Sequence, residues 1–126
     1  MNNEEQYKFG IQSEDKLFVK LQQIYPDLCR TLGKYNHFDF EDSKTKIELK
    51  TRKITSTRYN DTLIGQNKLD AAKKLLDNYE VLFMFQFTDC LLVHKVSKDD
   101  SFKTVTLYNK PNCLIPIKDM TLLKLD

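Results

Sequence analysis

Cysteine, glycine and proline each occur only three times in a chain of 126 residues, and these low counts exclude several classes of protein. The cysteines (Cys29, Cys90, Cys113) are odd in number, scattered and without metal-like spacing. They build neither a disulfide framework nor a zinc site, and suit a reducing, intracellular setting with mostly buried thiols. So little glycine and proline excludes collagen-like, linker-rich and low-complexity chains. Gly10, Gly33 and Gly65 lie too far apart to form a phosphate-binding loop. The longest uninterrupted apolar run, Val81 to Phe85, is far short of a membrane span. The start, Met1-Asn2-Asn3-Glu4-Glu5, is neither basic nor apolar, so no secretory signal is expected. Histidine is scarcer still, with two. His37 reads as a loop-edge residue and His94, after Leu91-Leu92-Val93, as a core or edge histidine; neither has the Cys or Asp partners of a catalytic triad or zinc site.

What remains is ordinary globular material, 40% hydrophobic and 30% charged, enough for one domain. Its abundance of Lys and Asn suits an AT-rich genome such as that of a virus or phage. The net charge of +2 conceals an asymmetry. Between Lys44 and Lys74 stand nine basic and three acidic residues, against eleven basic and fifteen acidic elsewhere. Such a stretch belongs either to a surface that meets a polyanion or to a solvated, Lys-rich helix face.

Periodicity gives the order of elements. Ser13 is placed to cap a helix with the apolar stripe Leu17, Phe18, Leu21, Ile24 and Tyr25, ended by Pro26. A strand is expected around Cys29 to Tyr35, then two alternating strands, His37 to Asp42 and Thr45 to Arg52. Asp61 or Thr62 would open a second helix with Leu69, Ala72, Leu75 and Leu76 on its apolar side. Val81 to Phe87 reads as a strand covered on both faces, turning at Thr88-Asp89 into Cys90 to Val96. Ser97 to Ser101 would be a polar loop, Phe102 to Tyr108 a further strand and Asn109-Lys110-Pro111-Asn112 a turn. The predicted fold class is α/β, a central mixed β-sheet flanked by helices.

The middle hairpin carries the chemistry. A two-residue turn at Ser43-Lys44 pairs Phe40 with Ile47 and Phe38 with Leu49 on one face, and Glu41 with Lys46 as a favourable charge pair. Asp39 then opposes Glu48 on the polar face, with Lys50 two residues beyond on that face. Two carboxylates so close repel unless something compensates: a divalent cation with oxygen ligands, or solvent with Lys46 and Lys50 as screening partners.

Asp39 followed by Glu48-Leu49-Lys50 on the next strand resembles the Asp…Glu-x-Lys signature of the PD-(D/E)xK, or restriction-endonuclease-like, nuclease superfamily. The order of elements from Ser13 to Val96 is similar as well, and the resemblance implies a core in αβββαβ order. One departure is visible: Phe38 stands where the family's name has proline. The resemblance implies Mg²⁺ or Mn²⁺ held by Asp39, Glu48 and the carbonyl of Leu49, with Lys50 activating the attacking water. It implies an acid from the first helix, Glu14, near the metal, and a helix glutamine, Gln66, at the phosphate or water. Each has a plainer reading, Glu14 as a solvated acid near a helix start and Gln66 as a solvent-facing residue.

The intervening loop, with Arg52, Lys53, Arg58 and Tyr59, is composed to reach phosphates and stack a base. Lys68 is placed with these nucleic-acid contacts, although it and Asp70 read chiefly as surface, as do Lys73 and Lys74. The expected activity is metal-dependent hydrolysis of DNA phosphodiesters. The rivals are a non-catalytic module binding nucleic acid or protein, and a small scaffold whose acidic pair is incidental. A chain this short is expected to work as a homodimer or as a subunit of a larger assembly, with no membrane partner. The Phe102 to Tyr108 strand and the tail from Leu114 to Leu125 are apolar enough to supply an interface or to close the core.

Overall fold

The computed structural model describes residues 3–31 and 38–125, with no side chain described for residues 3 and 6–13. The chain is α/β, with a mixed β-sheet and two α-helices. Helix α1 (Asn3–Leu21) begins ten residues before Ser13, which lies inside it. Glu4 and Glu5 in the first turn suit the positive end of the helix dipole, so a strong start exists upstream of the cap inferred from Ser13. The helix ends at Leu21 in a turn closed by Tyr25 N to Leu21 O, 2.8 Å, and by the Gln22 amide to Leu28 O, 3.2 Å. Leu17 and Leu21 are buried, whereas Ile24, expected in the stripe, is exposed because the helix has stopped before it.

Six strands form the main sheet, in order β1 (Cys29–Arg30), β2 (Phe40–Glu41), β3 (Thr45–Thr51), β5 (Glu80–Gln86), β6 (Leu91–Lys95) and β9 (Thr121–Leu123). Only β3 and β5 run parallel, in a register from Thr45↔Glu80 to Thr51↔Gln86. The strand expected from Cys29 to Tyr35 is present as β1; its continuation beyond residue 31 and His37 lie outside the described residues.

The hairpin register is as the sequence implies at Phe40↔Ile47 and Glu41↔Lys46, and Lys46 pairs with Glu41. The Asp42 carboxylate accepts the Lys44 amide at 2.9 Å and closes the turn. The expected pairing of Phe38 with Leu49 does not form. Asp39 N donates to Ile47 O at 2.8 Å, one residue out of that register, and Phe38 turns to the opposite face of the sheet. The shift is stable because Phe38 finds an apolar site there.

Between β3 and α2 lies a strand where helix was expected: β4 (Asp61–Gly65), with Thr62 and Ile64 buried in alternation. It pairs with β8 (Lys110–Pro116), itself paired with β7 (Thr104–Leu107), making a second, antiparallel sheet in order β4-β8-β7. Helix α2 (Gln66–Leu75) therefore starts later, at Gln66, and buries Leu69 and Ala72. The β7–β8 turn is at Tyr108-Asn109, both at positive φ, so Lys110-Pro111 belongs to a strand and not to the turn. Strand β7 is exposed throughout, while Cys113 and Ile115 of β8 close the core. A 3-10 turn (Ile117–Asp119) leads into β9.

Two apolar cores result, one on each face of the main sheet. Leu17, Leu21, Phe40, Ile47, Leu49, Leu82, Met84 and Leu91 pack beneath α1. Val81, Phe83 and Phe85 pack against Leu69 and Ala72 of α2 and against Ile64, Cys113 and Ile115 of the second sheet. Strand β5 is buried on both sides, as its continuous apolar run implies. All three cysteines are free thiols, but Cys29 is exposed and Cys90 half-buried, so burial holds fully only for Cys113. No helix among the described residues is long and apolar enough to cross a membrane.

Phe83, fully buried at the centre of the second core, is the test of this arrangement. Phe83→Ala is expected to lower the unfolding free energy by about 3–5 kcal/mol in a urea titration. A loss under about 1 kcal/mol would contradict the packing described.

Candidate active site

Strand β3 sends alternate side chains to opposite faces, so Glu48 and Lys50 share the α2 side while Ile47 and Leu49 enter the α1 core. Glu48 is buried, 4% exposed, in a position that a carboxylate occupies only when partnered. Its partners are two ammonium groups: Lys50 Nζ lies 3.3 Å from Oε1, and Lys68 Nζ 3.5 Å from Oε2. Lys68 comes from the first turn of α2 and also lies over the Phe38 ring, 6.0 Å from its centroid. Phe38, turned to the α2 face and buried there, thus forms part of the wall on which Lys68 rests.

Asp39 stands at the sheet margin, immediately before β2 begins and alongside the continuing β3. Its main chain is held on both sides, its N–H bonded to Ile47 O and its carbonyl accepting Thr31 N at 3.1 Å. Its carboxylate Oδ2 accepts the Leu49 amide at 2.8 Å, which closes the ladder in place of a backbone partner. Asp39 and Glu48 feel one another. Burial and then the Asp39 charge push the Glu48 carboxyl up to about 7, against the opposing pull of Lys50 and Lys68. Two adjacent lysines would be expected to lower a carboxyl's proton affinity; here the loss of hydration outweighs them.

Of the outer residues, Glu14 is near enough for Asp39 to matter. Burial first, and then the Asp39 charge, raise its proton affinity, while Arg30 lowers it. Arg30 Nη1 holds Glu14 at 3.2 Å, pairs with Asp15 too, and lies over the Phe18 ring. Gln66, the first residue of α2, donates to Asp70 at 2.9 Å and accepts the Cys113 thiol at 3.0 Å. Those bonds hold it between α2 and β8, and no contact described ties it to Glu48.

Arg52 is turned inward: Nε donates to the Thr62 hydroxyl at 3.3 Å and Nη2 to Leu63 O at 2.7 Å. It braces β3 against β4, and burial lowers its pKa. Lys53 and Arg58 are exposed, and the Arg58 guanidinium lies 5.6 Å from the centre of the Tyr59 ring, itself 60% exposed. Asp89 pins this loop by accepting the Ser56 amide at 2.8 Å and hydroxyl at 2.7 Å. His94 meets Phe102 edge-on as a satisfied core or edge histidine, but, against the expectation that it lacks an Asp partner, it is bonded to Asp100 at 2.7 Å.

The structure therefore brings Asp39, Glu48, Leu49, Lys50 and Lys68 together. Lys68 is the residue whose weight the sequence understated. Its signal was position alone, two residues past Gln66 and next to the buried Leu69. No three His, Cys, Asp or Glu side chains among the described residues form a group able to hold a metal by themselves. The donors at hand are two carboxylates and main-chain oxygen, a hard set that fits Mg²⁺ or Mn²⁺ completed by water better than it fits zinc. A cavity of about 480 Å³ opens elsewhere, between α1 and the ends of β3 and β5, lined by Lys16, Lys20, Gln86 and Leu123 and by neither carboxylate. Comparison of the chain with protein-family models, curated proteins and solved structures finds no match.

Glu48 gives the metal-free protein a pH signature. Its folded-state value of about 7 lies above the unaffected value of 4.5, so between the two the folded state retains a proton the unfolded chain has lost. The resulting stability is full below the lower value and gone above the upper one. Urea unfolding in EDTA is expected to show stability falling between pH 5 and pH 8, by about 3 kcal/mol at most, and Glu48→Gln to flatten that fall. An identical slope in the variant would show that Glu48 does not titrate there.

Proposed function

We propose that this chain is a metal-dependent endonuclease that hydrolyses DNA phosphodiester bonds, built on a restriction-endonuclease-like core. The observation that carries the reading is the convergence of Asp39 and the buried Glu48 at one sheet margin with Lys50 and Lys68 beside them. Asp39, Glu48 and the Leu49 carbonyl would hold Mg²⁺ or Mn²⁺. Such an ion, when bound, supplies charge for the phosphate and lowers the pKa of water.

The chain's own groups do the rest. The Leu49 amide fixes the Asp39 carboxylate, so its free oxygen needs no reordering. Lys50 and Lys68 place two positive charges where a scissile phosphate gathers negative charge, and Lys50 is the better placed to move a proton, being the more exposed. Arg58, Tyr59 and Lys53 offer the substrate an exposed basic and aromatic loop, with Arg52 bracing its base. The protein acts inside the cell, as a homodimer or as a subunit of a larger assembly. A second reading, a non-catalytic module binding nucleic acid or protein, has one observation in its favour: each Glu48 oxygen already has a lysine, so the charge is balanced without an ion.

Cleavage of labelled single-stranded, duplex, flap and four-way DNAs with Mg²⁺ or Mn²⁺ separates the two. Cutting that EDTA and Asp39→Asn both abolish is expected, and Lys50→Ala is expected to lower the rate about 10²–10⁴-fold with the circular dichroism spectrum kept. Absence of cutting beside salt-sensitive binding would select the binding module. For the loop, Arg58→Ala is expected to weaken binding and reduce the slope of log affinity against log salt by about one. An unchanged slope would leave Arg58 as plain surface.

A further inference from the structure

Only part of the β7–β8 hairpin serves the core: Cys113 and Ile115 of β8 are buried in it, whereas β7 and the tip stand exposed. Every residue of β7 is exposed, Val105 and Leu107 included, and Tyr108 at the tip is 96% exposed. Tyr108 also sits where the backbone does not favour it. A two-residue hairpin turn with both central residues at positive φ is a place for Asn, Asp or Gly. Asn109 at φ 62° meets that demand, whereas Tyr108 at φ 53° brings a bulky side chain into the left-handed region. Its ring gains no packing in return.

Charge adds a second, independent observation. From Ser101 to Lys118 the chain has no Asp or Glu and three lysines, Lys103, Lys110 and Lys118. Among the described residues neither Lys103 Nζ nor Lys110 Nζ has an ion-pair partner.

Topology then says where the arm points. The β4–β8 ladder ends at Gly65↔Asn112, so β8 and the turn continue beyond β4 just where α2 begins. Three to four residues of strand carry the tip roughly 10–13 Å past that point. The base of the arm is tied to the start of α2 by the Cys113 thiol on Gln66, and two residues further on Lys68 reaches Glu48. The arm and the carboxylate cluster thus share the first turn of α2 as their common support.

We infer that the hairpin Thr104–Pro116 is a nucleic-acid arm, in which Tyr108 stacks on an unpaired base while Lys103 and Lys110 meet the flanking phosphates. The inference rests on the nuclease reading of the nearby cluster and deepens it, since it names the substrate class as DNA with unpaired bases: single strands, flaps or junctions. An exposed aromatic face stacks on a base that is already unstacked and has little to grip on an intact duplex. A protein partner is the weaker alternative. The exposed edge of β7 could add a strand from a second copy, but that would leave the tip tyrosine and the uniform positive charge unused.

The test uses Tyr108→Asn, which removes the ring while suiting the turn better than the native residue, so loss of function cannot come from a damaged fold. Fluorescence anisotropy would be read in EDTA, where no cleavage occurs, with a fluorescein-labelled single-stranded 20-mer and its duplex. Wild type is expected to prefer the single strand. Tyr108→Asn is expected to lose about fivefold or more of that affinity, to leave duplex binding within twofold and to melt no lower than wild type. Equal single-strand affinity in both proteins overturns the arm while leaving the nuclease reading to its own cleavage test. Absence of binding to either DNA by wild type overturns both. A dimer in size-exclusion chromatography that Tyr108→Asn dissociates, with DNA affinity unchanged, overturns the arm in favour of a protein interface.

Discussion

The parallel pairing of β3 with β5 is the constraint from which the other elements take their places. Because β5 is apolar from Val81 to Phe85, it is stable only when both faces are covered. One face takes α1; the other takes α2 and the second sheet. Parallel strands cannot be joined by a tight turn, so the chain between residues 51 and 80 must cross over. That crossover is what delivers α2, and Lys68 with it, to the face where Glu48 stands. The carboxylate is therefore buried by the same event that supplies one of its counter-charges.

Burial and pairing act against each other at this site. Glu48 loses water on entering the α2 side, and Asp39 adds repulsion; Lys50 and Lys68 return part of that energy. The balance leaves the carboxyl near neutrality in its proton affinity, a state that costs stability at higher pH and that a bound cation would relieve. Asp39 is handled otherwise. Its carboxylate replaces a missing strand partner for the Leu49 amide, so the margin of the sheet and the margin of the candidate site are one feature. The proposed chemistry needs both: a buried carboxyl whose proton affinity is raised and a carboxylate whose position is fixed.

Much of the core and part of the cluster can be read from residue order. Alternation from Phe40 to Leu49 with Ser43-Lys44 as the turn gives the hairpin register and puts Glu48 and Lys50 on one face. The run from Val81 announces a strand covered twice. The misread elements have two causes, a rival local signal and a distant contact. Ser13 has the chemistry of a cap, but a helix start with acidic residues lies upstream of it. Asp61-Thr62 has the chemistry of a helix start, yet the segment pairs with β8, some fifty residues later, and no local window contains that partner. Phe38 leaves its expected partner Leu49 because the α2 core, assembled from distant segments, offers it a better site. In the last two cases a long-range contact outweighs a local preference of about 1 kcal/mol.

By itself the sequence determined the mixed α/β class, the hairpin, the two apolar faces of β5 and the spacing of Asp39, Glu48 and Lys50, because these follow from periods of two and 3.6 residues and from turn chemistry. Tertiary structure alone decided the parallel partner of β3, the second sheet, the inward bracing role of Arg52 and the arrival of Lys68 at Glu48. Those features depend on which distant segments meet, and the meeting is set by the total apolar surface that must be hidden at once, a quantity no short stretch of chain contains.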